Sequence, residues 1–118
     1  MKKNIIVQLT TEDQKIKLET SAIYNEEKQE LTYIEDDDLK TITKFNYPKK
    51  KLCRNNNDLK LIYNFEEGKT TKGNITINDI NRSIDINIKT KKIIEENNKI
   101  IIDFNVEENS FKYQIEVK

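Results

Sequence analysis

Four consecutive carboxylates, Glu35 to Asp38, form the densest chemical feature of the sequence, within the run "YIEDDDLKTITK". Carboxylates bind Ca²⁺ when their oxygens converge, and calcium loops achieve this with acids at alternate positions and a glycine at the bend. Here the acids are contiguous and no glycine follows, so their side chains would point apart. We therefore interpret Asp36 to Asp38 as a hairpin turn in a solvated loop and predict no metal site, with Ca²⁺ or Mg²⁺ binding as the minor alternative.

Catalytic chemistry has few residues to draw on in this sequence. The chain contains no histidine, which is the commonest general base of enzymes. Cys53 is its single cysteine and has no imidazole to activate it, so we expect it to pack as a small hydrophobic side chain. A lone cysteine also rules out an internal disulfide and favours a reducing compartment. We predict no catalytic residues, no enzymatic activity and no cofactor.

Basic residues cluster once, in "KKKLCR" from Lys49 to Arg54, close to Tyr47. Cations beside an aromatic ring are typical of surfaces that bind single-stranded nucleic acid. However, 21 basic and 21 acidic residues are interleaved along the chain, so its net charge is zero and no strong field would attract a polyanion. Lysines also protect exposed strands against edge-to-edge association. We therefore predict no nucleic-acid partner.

The length of the chain and its apolar runs limit the classes of protein to which it can belong. A chain of 118 residues has the size of one domain, which we assign to residues 1–118. Ile5 to Val7 is too short for the apolar core of a signal peptide, and no segment approaches the roughly 20 apolar residues of a membrane span. We therefore expect a soluble cytoplasmic protein with no membrane partner.

The segments that position the chemical groups have the period-two alternation of half-buried β-strands. The clearest are Lys15–Tyr24, Asp58–Glu66, Ser83–Lys91 and Phe111–Val117. Weaker ones are Ile5–Thr10, Glu30–Glu35, Leu39–Asn46, Lys50–Arg54, Gly73–Ile80 and Lys99–Val106. In "KKIIEENNKIII" the isoleucines would also share one face of a helix, but β-branched residues around an asparagine pair favour a hairpin.

Turns between these strands must be made with few glycines. Only Gly68 and Gly73 could supply a positive φ at low cost, so we expect asparagine and aspartate to take that role. Asparagines do lie between the strand-like runs, at Asn25, Asn55 to Asn57, Asn81, Asn97 to Asn98 and Asn109. A turn every 8–12 residues or so is typical of a β-sandwich or β-barrel.

The alternation also predicts an interior that contains hydroxyl groups. If Lys40 and Lys44 point to water, period two directs Leu39, Thr41, Thr43 and Phe45 inward. A buried hydroxyl without a partner costs roughly 1–3 kcal/mol, so the interior must supply partners, admit water or admit a ligand. The candidate ligand-binding residues of the lumen are Tyr24, Tyr33, Thr41, Thr43, Tyr63, Thr90, Tyr113 and Arg54.

The order of these features resembles one known family. The runs that carry the resemblance are "LTYIEDDDLKTITKF" (31–45), "LKLIYNFEEGKTTKG" (59–73), "IDINIKTKKI" (84–93) and "KIIIDFNVEENSFKYQIEV" (99–117). Together they contain a Tyr-x-Glu hairpin, a Thr-rich strand, a turn with Gly68, Thr71 and Gly73, and a Lys-Thr-Lys strand. This arrangement is similar to the YwiB-like family, a group of bacterial proteins with a calycin-like β-barrel. The chain departs from the pattern in its short N-terminus and at Asn81, where a glycine turn is usual.

The resemblance implies an all-β fold, a single antiparallel up-and-down β-barrel of about eight strands that is calycin-like or lipocalin-like. It brings no established activity, substrate or catalytic residue. True lipocalins carry a Gly-x-Trp motif near the N-terminus. This chain has no tryptophan and no glycine before Gly68, so the lipocalin branch is not supported.

Two functions fit such a barrel, because a lumen of this size is either filled or holds one small molecule. In the first, the lumen binds a small amphipathic or apolar ligand, which the hydroxyl groups of the lumen orient. In the second, the barrel has a solid core and acts as a homodimer or as the partner of another protein. A cavity of at least about 300 Å³ would favour the first. Isoleucine and phenylalanine side chains that meet across the axis would favour the second.

Overall fold

Ten antiparallel strands make up the structure, a computed structural model that describes residues 1–118. They are β1 (Lys2–Thr10), β2 (Lys15–Asn25), β3 (Glu30–Ile34), β4 (Ile42–Asn46), β5 (Lys51–Asn55), β6 (Leu59–Asn64), β7 (Thr70–Ile77), β8 (Arg82–Glu95), β9 (Lys99–Val106) and β10 (Asn109–Val117). Every segment with strand character in the sequence forms one of them, so the number of about eight that the resemblance implied is too low. The structure contains no helix long and apolar enough to cross a membrane.

The strands follow one another around a closed barrel. Each strand pairs with the next in the chain, and β1 pairs with β10 to complete the circle. All ten ladders are antiparallel. The all-β, up-and-down β-barrel predicted from the sequence is therefore confirmed. Closure pairs both sides of every strand, which removes the free edges that promote association between sheets.

Strand β4 shows how the alternation divides side chains between the core and the surface. Thr43 and Phe45 are fully buried, whereas Lys44 between them is exposed. Lys40 is exposed as well, so the predicted outward direction of both lysines is confirmed. Successive side chains of an extended strand point to opposite faces, and a closed barrel turns those faces into an inside and an outside.

The predicted inward direction of Leu39 is wrong. Strand β4 begins only at Ile42, and Leu39 lies in the turn before it, with 44% of its surface exposed. Period two describes an extended backbone, so it cannot be continued backwards through a turn. Thr41 is buried as predicted, but a side-chain hydrogen bond from the turn holds it there, as described below.

The hairpin of β8 and β9 confirms the strand interpretation of "KKIIEENNKIII". Asn97 and Asn98 lie in its turn. The register shifts between Thr90 and Lys92, where a β-bulge accommodates one additional residue. As a result, Thr90 faces the core before the bulge and Ile93 packs against the core after it.

The role of asparagine in the turns differs from the one that the sequence predicted. A left-handed backbone occurs at Asn81, as expected, but also at Gln29, Lys40, Lys50 and Glu107. The expectation that asparagine and aspartate supply the positive φ is therefore wrong for most turns. Gly68 has a φ of 77°. Gly73 does not, and lies within β7 instead.

Asparagine side chains instead organise turns by accepting hydrogen bonds from the backbone. Asn25 Oδ1 accepts from the N–H of Lys28 at 3.1 Å, and Asn46 Oδ1 accepts from the N–H of Lys49 at 3.0 Å. Such a bond imitates a backbone turn, and the residue directly after its donor, Gln29 or Lys50, adopts the left-handed conformation. The sequence pattern located the turn at Asn25 correctly, although it predicted the wrong mechanism.

Aromatic and branched aliphatic side chains fill the middle of the barrel. Phe45 contacts the ring of Tyr113, with ring centroids 6.4 Å apart, although the two residues belong to β4 and β10. The rings of Phe65 and Phe104 approach to 4.8 Å. The other fully buried apolar side chains are Ile5, Leu31, Ile88, Ile100, Ile102 and Ile115. The middle section of the lumen is therefore solid.

Candidate functional site

A cavity of about 530 Å³ occupies the end of the barrel where the β3–β4 turn lies. Most of the side chains that line it are apolar. They are Val7, Leu9, Ile16, Leu18, Leu52, Phe104 and Phe111, together with the rings of Tyr33, Tyr63 and Tyr113. Polar groups enter the cavity mainly from β3, β5 and the turn after β3, so one wall is polar and the other is hydrophobic.

Strand register places the polar wall. Tyr33 on β3 lies directly opposite Thr43 on β4, which lies opposite Arg54 on β5. All three are at inward positions and therefore form one row across three neighbouring strands. The three residues are far apart in the sequence, and they form a row only because consecutive strands pair.

A bidentate ion pair dominates the row. Arg54 donates from Nε to Glu35 Oε2 and from Nη2 to Glu35 Oε1, both at 2.7 Å. Thr43 Oγ1 donates to the same Oε2 at 2.5 Å. Burial by itself would lower the pKa of Arg54, but the hydrogen bonds and charge of Glu35 outweigh it and raise the pKa above its ordinary value. The guanidinium therefore stays charged, and Glu35 balances that charge.

Two tyrosines form the buried part of the cavity lining. The hydroxyl oxygens of Tyr33 and Tyr113 lie 2.6 Å apart, and both residues are buried. Burial raises the pKa of each phenol, because the phenolate would lose its hydration. Both groups are therefore neutral hydroxyls. Since one mutual hydrogen bond uses only one of their two protons, the pair keeps hydrogen-bonding capacity for a neighbour.

The β3–β4 turn is held by Asp37. Its Oδ1 accepts from the backbone N–H of Thr41 at 2.9 Å and its Oδ2 from the hydroxyl of Thr41 at 2.5 Å. These bonds favour the ionised carboxylate and lower the pKa of Asp37. The same hydroxyl accepts from Asn56 Nδ2 at 3.0 Å, which ties this turn to the start of β6.

The predicted turn at Asp36 to Asp38 is confirmed, but the loop is only partly solvated. Asp36 and Asp38 are exposed, whereas Glu35 and Asp37 are partly buried and bonded to the barrel. No three histidine, cysteine, aspartate or glutamate side chains of the chain are placed to hold a metal ion together. The four acids thus act as two different groups, one structural and one exposed.

Half of the predicted lumen residues line this cavity. They are Tyr33, Arg54, Tyr63 and Tyr113. Thr41 and Thr43 lie behind the carboxylates and are buried by them. Their hydroxyls already have protein partners, so they support the wall rather than face the space.

The two other predicted residues lie elsewhere. Thr90 is fully buried, and its Oγ1 accepts a hydrogen bond from the N–H of Glu66 at 3.2 Å. Tyr24 lies near the opposite end of the barrel, where its ring is 6.4 Å from that of Tyr47. The prediction treated the lumen as one space, but the solid middle section separates Tyr24 from the cavity, and Thr90 is enclosed in the core.

Sequence reasoning missed Glu35 and the apolar wall. Glu35 follows Tyr33 by two positions, so continuing the alternation of β3 would have directed it inward with Tyr33. The predicted strand ended at Glu35, but its carboxylate was not among the residues proposed for the lumen. The alternation of β2 and β10 directs Leu18 and Phe111 inward, yet nothing in the sequence distinguishes a core position from one that borders a cavity.

The opposite end carries a second depression of about 580 Å³, lined mostly by polar residues. Lys50 spans it, with its Nζ 2.6 Å from Glu95 Oε1 and 2.5 Å from the carbonyl oxygen of Tyr47. Burial, aided by Tyr24 and Glu95, raises the pKa of Tyr47 to about 12. This depression is a surface feature above the filled core.

Comparison with known proteins identifies the fold. No protein-family model and no curated protein matches the chain. The structure is similar to the crystal structure of the YwiB protein from Bacillus subtilis, with a TM-score of 0.70 and 21% sequence identity. The match covers 99% of this chain and 92% of that one. The resemblance to YwiB predicted from the sequence is therefore confirmed as a shared β-barrel fold, and the likeness to calycins stays a prediction.

Proposed function

We propose that this protein is a binding module that encloses one small amphipathic molecule in the cavity beside the β3–β4 turn. The observation that carries the proposal is the cavity itself. Its volume of about 530 Å³ falls within the roughly 300–1,000 Å³ of known small-molecule pockets. Its apolar wall and single polar side are the arrangement that fixes the orientation of such a molecule.

Two hydrogen-bond donors of the cavity wall lack a protein partner. Arg54 uses Nε and Nη2 for Glu35, so Nη1 keeps both of its hydrogens. The hydroxyl of Tyr63 also makes no hydrogen bond to the protein. Because no polar side-chain atom of the protein is both buried and without a partner, Arg54 Nη1 and the Tyr63 hydroxyl are accessible from the cavity. Both groups can therefore donate to a ligand that enters the cavity.

Both structural criteria derived from the sequence are met, but in different parts of the barrel. The cavity exceeds about 300 Å³ at one end, while buried isoleucine and phenylalanine side chains pack in one cluster in the middle section. A ligand would thus be confined to one end, with its apolar part towards Leu18 and Phe111 and its polar part towards Arg54.

Native mass spectrometry of protein isolated without denaturation tests the proposal. We expect an additional mass from a co-purifying small molecule, or a bound apolar probe when one is added. The variant Leu18→Trp should remove this binding, because the larger ring occupies the cavity. Ile23→Trp is the matched control, since Ile23 lies on the same strand, is 58% exposed and faces outward. Absence of any bound molecule in the unmodified protein, with or without probe, would refute the proposal.

The alternative, a homo-oligomeric or protein-interaction module, stays a prediction. Its most relevant feature lies on the outer surface, where Ile34 and Ile42 are directly paired and both are exposed. The same mass spectra report the number of subunits. A stable dimer without a bound molecule would favour this alternative over the ligand-binding proposal.

A further inference from the structure

The charges around the cavity restrict the class of ligand. Arg54 is the cation that reaches furthest into it, and Glu35 neutralises that cation through two hydrogen bonds of 2.7 Å. The pair therefore offers donors without offering net positive charge. A free arginine in the same place would attract an anion, whereas this arginine already has its carboxylate.

The other charged groups at the mouth do not favour an anion either. Asp36 and Asp37 both line the cavity, and the bonds from Thr41 keep Asp37 ionised. Lys17 also lies at the rim, but its side chain is 55% exposed and its Nζ lies 4.0 Å from Glu19. An entering carboxylate would therefore find no unpaired cation inside the cavity.

An organic cation is not favoured by the interior. Arg54 Nη1 is only a donor there and the Tyr63 hydroxyl oxygen is a single acceptor, whereas an ammonium with three N–H donors needs several acceptors. Asp36 and Asp37 are at the water-exposed mouth, where salt and solvent screen their attraction. A cation that followed its apolar part inward would lose hydration beside the guanidinium, which is costly.

We infer that the cavity selects an uncharged amphiphile, whose hydroxyl or carbonyl oxygen accepts hydrogen bonds from Arg54 Nη1 and the Tyr63 hydroxyl. Glu35 sets this selectivity, because it cancels the charge of Arg54 while leaving Nη1 free. This inference rests on the proposed function of the cavity as a ligand site. It adds the chemical class of the ligand and the residue that determines it.

Three probes with the same hydrocarbon chain test the inference: 1-decanol, decanoate and decylammonium. Their apolar contribution is equal, so differences in the dissociation constant report the head group alone. With the unmodified protein near neutral pH, we expect calorimetry to show that decanol binds and that each charged probe binds at least about tenfold more weakly. A charged probe that bound as tightly as the alcohol would overturn the inference while leaving the proposed function intact.

The variant Glu35→Gln tests the role of Glu35. It leaves Arg54 with an unbalanced charge, so the affinity for decanoate should rise by about tenfold while that for decanol changes little. Glu27→Gln is the matched control, because Glu27 is exposed in the turn between β2 and β3. An unchanged ranking of the probes in folded Glu35→Gln would refute the role of Glu35.

The ranking of the probes by the unmodified protein needs no variant, so it decides the ligand class even if Glu35→Gln fails to fold. Failure of all three probes to bind would refute the proposed function together with the inference. Binding in which decanoate ranked first would refute the inference alone.

Discussion

The two ends of the barrel differ in the direction of their aromatic rings. At the end opposite the cavity, Tyr47 sets the edge of its ring against Phe45, with centroids 4.9 Å apart and planes at 89°. At the cavity end, Phe104 and Phe111 stack nearly parallel, with centroids 5.4 Å apart and planes at 19°. At the end opposite the cavity, a ring thus covers the core with its edge against its neighbours. At the cavity end, the rings that line the wall are stacked.

Strand pairing explains this difference. Phe104 and Phe111 lie directly opposite each other on β9 and β10, so their rings stack as a cross-strand pair along the wall. Tyr47 lies in the turn after β4, beyond the ladder, and its ring is free to reach over Phe45 and Tyr24. Whether a barrel end is filled therefore depends on where its aromatic residues stand relative to the ladder.

The largest expected effect concerns the filled section. Phe45→Ala should lower the free energy of unfolding by about 3–5 kcal/mol, because it removes a fully buried ring that contacts Tyr47 and Tyr113. Urea denaturation followed by circular dichroism measures this loss. Phe111→Ala is the comparison at the cavity end, where a half-buried ring already borders open space and its loss should cost clearly less. Equal losses of unfolding free energy in the two variants would show that the filled section and the cavity end are packed alike.

The next effect concerns the boundary between the filled section and the cavity. Tyr33→Phe or Tyr113→Phe leaves one buried hydroxyl without its partner, which should cost about 1–3 kcal/mol. The double variant should cost less than the sum of the two, because it removes both hydroxyls together. Strictly additive losses in urea denaturation would show that the hydroxyl pair contributes nothing.

The same pair makes stability sensitive to alkaline pH. The folded-state pKa of each phenol is raised, so their contribution is complete below the ordinary tyrosine pKa of about 10 and is lost as the pH rises above it. The double variant should lose less stability than the unmodified protein between about pH 10 and pH 11. Parallel losses in the two proteins would contradict this prediction.

The sequence predicted the fold well because barrel formation depends on alternation. Each strand is half-buried, and the inward position of Thr43 and Phe45 follows directly from the outward position of Lys44. The closed meander then needs only short turns between neighbours. The strand number was less accurate because it came from the resemblance, whereas the residue pattern itself contained all ten strands.

The site was harder to predict because it depends on register and on unfilled space. Arg54 was proposed for the lumen, but its partner Glu35, at the end of a predicted strand, was not, and only the pairing of β3, β4 and β5 brings both side chains together. The solid middle section separates Tyr24 from the cavity, and Thr90 is enclosed in the core. Alternation gives the face of each residue but not the space in front of it, so these features require coordinates.

The smallest effect compares the turns at the two ends. In the β3–β4 turn the carboxylate of Asp37 accepts hydrogen bonds from Thr41, whereas in the β4–β5 turn the neutral amide of Asn46 accepts from Lys49. Both side chains imitate a backbone turn, but only the carboxylate titrates. The turn at the cavity end should therefore weaken in acid, and the turn at the opposite end should not.

The variant Asp37→Asn should measure this difference. Because the folded-state pKa of Asp37 is lowered, its contribution is complete above the ordinary aspartate pKa of about 4 and is lost as the pH falls through the folded-state value. The unmodified protein should thus be slightly more stable than Asp37→Asn at neutral pH, and the difference between their urea midpoints should shrink in acid. Asp38→Asn is the control, since Asp38 is exposed in the same turn. If the difference in urea midpoint between the unmodified protein and Asp37→Asn stayed constant down to about pH 3, an amide and a carboxylate would serve this turn equally. The two ends of the barrel would then differ in packing alone.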